Sequence, residues 1–139
     1  MTRIQSLLAL CALPLAIYTG QVLAEDMAQA LQPQQTENGG TFITGGIGDE
    51  EMAQLKSTRS DYNVHLLFTG KTGEFQSGVK VQIANGKGDV VLETTTTGPY
   101  LYAKLPAGKY KINATLEDRT QSRSIQVASR SGGDTQITF

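Results

Sequence analysis

The residues able to do chemistry are few and scattered. His65 is the only imidazole in the chain. As a metal ligand or general base it needs partners that Asn63 and Leu67 do not supply, so it reads as an outward-facing strand residue. Asp49, Glu50 and Glu51 form an acidic triplet just after the glycines at 45, 46 and 48. Carboxylates beside backbone carbonyls can hold calcium, but the alternating spacing of an EF-hand loop is missing, and the positive end of a helix explains the triplet better. The same glycines superficially suggest a phosphate cradle. No Gly-Lys-Ser/Thr follows them and three acids would repel phosphate, so a tight strand-to-helix turn is the expected use.

Tyr100 and Tyr102 share one face of an expected strand, continued by Lys104. Turned outward, that face offers an aromatic platform and a cation to a sugar or peptide. Turned inward, the tyrosines are packing, the favoured reading because Leu101 and Ala103 make a poor core face on their own. Asn113-Ala114-Thr115 fits a glycosylation pattern but sits mid-strand. Ser122, Ser124, Ser129 and Ser131 lie near basic residues with no base to activate them. The chain therefore reads as a non-enzyme with no cofactor and no metal site. The candidate ligand contacts are Tyr100, Tyr102, Lys104, Asp49, Glu50 and Glu51.

The elements that position these residues come after a leader. Arg3, an apolar run over residues 7–18, and the ending Val22, Leu23, Ala24 predict a cleavable signal peptide over residues 1–24, cut after Ala24. The apolar run is too short for a spanning helix, which needs about 20 apolar residues. No membrane span is expected after cleavage, and the expected location is the periplasm. Cys11, the only cysteine, leaves with the leader, so the expected mature chain has neither thiolate metal sites nor disulfides. Residues 25–139 suit one domain, near the roughly 100 residues of a seven-stranded sandwich.

Twelve Lys and Arg stand against thirteen acids, a formal net charge of −1. The balance is uneven along the chain: residues 25–51 hold six acids and no base, whereas residues 52–139 hold eleven bases and seven acids. An acidic leading segment before a basic body could fold back on it, or leave it to an anionic partner. No clustered cationic stripe of the nucleic-acid-binding kind is present.

Residues 25–41 combine three glutamines around Pro33 with Gly39-Gly40 and few aliphatics, and read as a flexible tether. Residues 42–139 read as the folded domain, with short order starting at Phe42 and Ile43 and interrupted by Gly45-Gly46-Ile47-Gly48. Asp49 is the expected N-cap of a helix of two or three turns, with Met52 and Leu55 on one face and Lys56 and Arg59 at the far end. From Tyr62 the period changes to two, placing Tyr62, Val64, Leu66 and Phe68 on one side. Further strands are expected around residues 79–83, 90–92, 100–104, 110–116, 122–127 and 135–139, the first two joined as a hairpin at Asn85-Gly86-Lys87-Gly88-Asp89. The fold class predicted is all-β: a β-sandwich of about seven strands with one short helix on the N-terminal side.

Three motifs in residues 77–139 carry a family resemblance. They are Gly78-Val79-Lys80-Val81, Gly98-Pro99-Tyr100-Leu101-Tyr102, and the corner Leu105-Pro106-Ala107-Gly108-Lys109-Tyr110. In the corner Pro106 presets φ, Gly108 takes a backbone angle bulky residues avoid, and Tyr110 plugs the core. The stretch resembles the carboxypeptidase regulatory-like family, whose small sandwich is similar to transthyretin and is also Ig-like in outline. The run Thr44-Gly45-Gly46-Ile47-Gly48-Asp49-Glu50 and its helix look like the leading part of a group of short exported proteobacterial proteins, extending the resemblance over roughly residues 41–139. The resemblance implies an uncharacterised periplasmic binding or accessory module. The hydroxyisourate hydrolases of transthyretin fold rely on several histidines and a C-terminal Tyr-Arg-Gly-Ser, which a chain with one histidine ending Ile137-Thr138-Phe139 does not carry.

The expected function is thus a non-catalytic binding or accessory module whose partner is an unknown protein or glycan of the cell envelope. One alternative is a carbohydrate- or cell-wall-binding module using Tyr100 and Tyr102. Another is a protein-assembly partner that pairs through an edge strand, for which residues 135–139 are the candidate. The oligomeric state is left open.

Overall fold

The computed structural model describes residues 31–36, 39–130 and 132–139. The expected signal peptide, Cys11 and the first part of the tether lie outside the described residues. Nine strands among the described residues form two sheets. Sheet A contains β1 (Gln34–Gln35), β2 (Thr41–Gly45), β3 (Val64–Thr69), β6 (Tyr100–Lys104) and β9 (Asp134–Thr138), in the order β1-β2-β6-β3-β9. Sheet B contains β4 (Lys80–Asn85), β5 (Val90–Thr95), β7 (Gly108–Leu116) and β8 (Arg119–Val127), in the order β5-β4-β7-β8. All neighbours run antiparallel except β3 and β9, which are parallel. Helix α1 (Gly48–Thr58) is continued by a 3-10 turn over Arg59–Asp61.

The all-β sandwich with one short helix is therefore the architecture, with nine strands in place of seven. The two additional strands are β1 and β2. Neither alternates in polarity: β1 is two exposed glutamines, and β2 is buried along almost its whole length. Backbone pairing to an existing edge does not depend on side chains, so period two gives no sign of it. Thr36 closes the link between β1 and β2, its hydroxyl accepting from Gly40 N–H at 2.8 Å. The described part of the segment read as a tether is thus held to sheet A. Leu31 adds to this by exchanging two hydrogen bonds of 2.8 and 2.7 Å with the Gln54 side chain of α1.

The core lies between the sheets. Val64, Leu66, Phe68, Leu101, Ala103 and Ile137 from sheet A meet Val81, Ile83, Leu92, Ile112 and Ala114 from sheet B, with Val79 just ahead of β4. A bulge at Ile83/Ala84 sets an additional residue, Val91, into β5, and Val91 and Leu92 both end up buried. The hairpin between β4 and β5 forms as expected, with Asn85 Oδ1 accepting from the backbone N–H of Lys87 and Asp89 at 3.0 Å each. The corner before β7 is fixed by the Tyr110 hydroxyl, which donates to Pro106 O at 2.6 Å while its ring is buried in the core.

A second, smaller cluster sits on the outer face of sheet A: Ile43, Leu55, Tyr62 and Tyr102, with Leu31, Met52 and Tyr100 packed against it. Helix α1 covers this patch. Its Leu55 is fully buried while Asp49, Glu50 and Lys56 are exposed. Tyr62 belongs here and not with Val64, Leu66 and Phe68, because it precedes the start of β3 and lies outside its alternation.

Candidate functional site

The local chemistry at the start of α1 differs from the expected cap. Ile47 occupies the N-cap without a side-chain bond, and Asp49 does not cap. Glu51 reaches back instead, Oε1 accepting from Gly46 N–H at 3.0 Å and Ile47 N–H at 3.1 Å. A carboxylate one turn in thus satisfies the donors of the N-cap and of the residue before it, and its charge suits that end. Gly46 is required there by crowding as well as by its φ of 106°: a Cβ would lie 2.5 Å from the Tyr100 ring. Glu51 is therefore occupied in holding the turn, and Asp49 and Glu50 point to solvent beside it. Among the described residues no group of three or more His, Asp and Glu could hold a metal ion.

The orientation of β6 decides where the tyrosines go. Leu101 and Ala103 are fully buried between the sheets, so Tyr100 and Tyr102 point to the opposite face, beneath α1. Leu101 and Ala103 suffice as the core face because β6 lies mid-sheet, where Phe42, Val64 and Leu66 on its neighbours supply the bulk. The two rings meet at 78° with centroids 6.2 Å apart, so they do not form one flat platform. Tyr102 is 5% exposed. Its ring packs T-shaped with His65, centroids 4.7 Å apart and planes at 89°, and the Arg59 guanidinium carbon lies 6.0 Å from its centre. Tyr100 remains half-exposed, with Phe75 beside it at 6.2 Å between centroids. Lys104, at the end of the strand, is not part of this arrangement. It lines a separate groove with Gly40, Thr41 and Pro106.

His65 is buried, not outward on a solvated face, because α1 and the 3-10 turn cover that side of β3. Its Nδ1 lies 3.2 Å from Gly132 O and its Nε2 2.9 Å from Arg59 O. Both ring nitrogens face carbonyl oxygens: a neutral imidazole donates to one of them and an imidazolium to both. The residue ties the end of the helical segment to the loop before β9. Asn63, two residues earlier, does the same for the other side: Nδ2 donates to Leu105 O at 2.7 Å and Ala128 O at 2.9 Å, and Oδ1 accepts from Leu105 N–H at 2.9 Å.

Around His65 and the tyrosines runs a cleft of about 400 Å³, lined by Met52, Lys56 and Arg59 from the helical segment, Tyr100 and Tyr102 from β6, and Asp134 and Gln136 from β9. Arg59 Nη2 meets Asp134 Oδ1 at 2.7 Å across its mouth, with the two side chains 40% and 66% exposed. The bond to Asp134 raises the guanidinium above its ordinary pKa. Burial raises the hydroxyl pKa of Tyr62 and Tyr100, the Tyr102 and Asp134 charges adding to the effect at Tyr100. A larger groove of about 610 Å³ lies on sheet B near the β4–β5 turn. Its charged side chains, Lys109 and Lys111, are exposed, and the convergence of aromatic, cationic, anionic and amide groups is found only at the helix–sheet cleft among the described grooves.

Sequence reasoning placed Tyr100 and Tyr102 among the candidates and missed Arg59, Asp134, Gln136 and Phe75. The first three come together from the helical segment and from β9 at the far end of the chain, and no local spacing encodes that. Phe75 did carry a signal, a large apolar residue in a Gly-rich link; it is 63% exposed. Compared with known proteins, the chain matches no protein-family model, and no curated protein is a significant match.

Proposed function

We propose that this protein is an exported, non-catalytic binding module of the cell envelope, related to the carboxypeptidase regulatory-like family, and that it takes its ligand in the cleft under α1. One observation carries the reading: aromatic, guanidinium, carboxylate and amide groups from the helical segment, β6 and β9 converge on one concave surface. Pockets of that kind, mostly apolar with a few placed polar groups, are where ligands are held. The non-catalytic part of the reading is supported by His65, whose nitrogens are both engaged with backbone carbonyls and whose ring is covered.

The ligand class that fits is a saccharide. The half-exposed Tyr100 with Phe75 beside it offers ring surface to the apolar side of a sugar, and Gln136, Asp134 and Arg59 offer hydrogen-bond donors and acceptors to its hydroxyls. A thermal-shift screen of the purified protein against cell-wall fragments, common oligosaccharides and calcium tests this. At a ligand concentration one hundred times Kd, native-state binding adds about 2.7 kcal/mol of stability. The expected result is a rise in midpoint with a saccharide and none with calcium, lost in Tyr100→Ala and reduced in the exposed Gln136→Ala. A flat screen across all saccharides overturns the reading.

A further inference from the structure

The four sheet edges of this sandwich are unequal. β1 is two residues long, β9 is five, and β5 is six residues interrupted by the bulge opposite Ala84. Natural sheets keep edges from recruiting other strands with these devices: short strands, bulges, charges. The fourth edge, β8, has neither of the first two. It pairs with β7 over nine consecutive residues without a register shift, contains no proline or glycine, and among the described residues has no other strand hydrogen-bonded to it. Its side chains are exposed or half-exposed from Arg119 to Gln126.

What β8 does carry is charge of one sign. Residues 119–130 hold Arg119, Arg123 and Arg130 and no acid, and among the described residues none of the three is in an ion pair. Arg119 and Arg123 are four apart and so share one face of the strand. The groove of about 610 Å³ opens along the end of the same strand, bringing Ser124, Ile125 and Gln126 together with Lys109 and Lys111 of β7. A second copy of β8 is a poor occupant, since the fully overlapped antiparallel register sets Arg123 against Arg123, and like charges directly opposite destabilise a pair. A strand with carboxylates at alternate same-face positions is a good one. The arginines then repel other strands and select this one.

We propose that the β8 edge is a docking site for an extended acidic peptide segment of another protein, which adds to sheet B as a fifth strand and sets carboxylates against Arg119 and Arg123. The main-chain ladder supplies attachment and the arginines supply selection, Lys109 and Lys111 lying on the opposite face of sheet B. This surface is separate from the cleft under α1 and stands whether or not that cleft binds a saccharide.

The test is fluorescence anisotropy with a labelled eight-residue strand-forming peptide, Thr-Glu-Val-Thr-Val-Glu-Val-Thr, against the purified protein. Two controls accompany it: the same peptide with Lys for Glu, and the Glu peptide with alternate amides N-methylated along one edge. Binding is expected for the Glu peptide, weaker by at least about tenfold for the Lys peptide, and lost on N-methylation, with new hydrogen-exchange protection in residues 119–127. In the double variant Arg119→Glu, Arg123→Glu, both at exposed positions, the order of the two peptides should reverse. Tyr100→Ala should leave peptide binding unchanged. Undiminished binding of the N-methylated peptide, no binding of the Glu peptide, or a dimer that already protects residues 119–127 without peptide would each overturn the proposal.

Discussion

The outer faces of the two sheets differ. On sheet A, α1 and the 3-10 turn cover the outward side of β2, β6 and β3, and the strands are buried on both sides: β2 and β3 show almost no alternation in exposure. On sheet B nothing covers the outward side among the described residues, and β4 and β7 alternate, with Val81, Ile83, Ile112 and Ala114 inward and Lys80, Gln82, Lys111 and Asn113 toward solvent. An antiparallel sheet with one wet face displays its pattern in the sequence; one covered twice conceals it. The covered face is also where side chains from distant parts of the chain are brought into contact, and the cleft is a consequence of that cover.

The comparison is broken most directly by taking the cover away. Leu55→Ala removes the one fully buried side chain of α1 and should cost about 2–5 kcal/mol, read as a lower urea midpoint with faster exchange of the α1 amides. If the midpoint is unmoved, α1 is not packed as described. The second effect is alkaline. Burial raises the hydroxyl pKa of Tyr62 and Tyr100, so the fold favours the neutral phenol. The stability this confers is complete below the ordinary tyrosine value of about 10 and is lost as pH rises beyond it toward the raised native value. Urea midpoints at pH 8 and 11 should separate more for the wild type than for Tyr62→Phe.

Smaller effects sharpen the contrast. Glu51→Ala leaves Gly46 N–H and Ile47 N–H without their acceptor and should cost about 0.5–2 kcal/mol, the size of a lost helix cap. Asp134→Asn breaks an ion pair whose partners are both substantially exposed; a loss under about 1 kcal/mol that vanishes in 1 M salt is expected. On the outer face of sheet B, Lys111→Ala should stay within about 0.5 kcal/mol in the same denaturation series. A larger loss there would show that this face is packed against something, and would remove the difference between the sheets.

Much of the fold was legible because it rests on local backbone chemistry. Asn85 to Asp89 had to turn, Pro106 and Gly108 had to make a corner with Tyr110 after it, and the alternation of β4 and β7 had to put valines and isoleucines inside. The cleft was legible only in part. Tyr100 and Tyr102 were recognisable as a pair on one face, but their side chains alone do not say which face; Leu101 and Ala103 are small enough to look unfit for a core that their neighbours fill.

The sequence by itself determined the class of structure, the places where the chain turns, and the helix that begins after Gly45-Gly46, because each depends on residues within a few positions of one another. Only the tertiary structure decided that His65 is held between Gly132 O and Arg59 O, that Arg59 meets Asp134, and that β8 is left as the long open edge. Those outcomes depend on which strands become neighbours. Sheet order is set by how the whole apolar surface is shared between two layers and a helix, and no window of the sequence contains that sum.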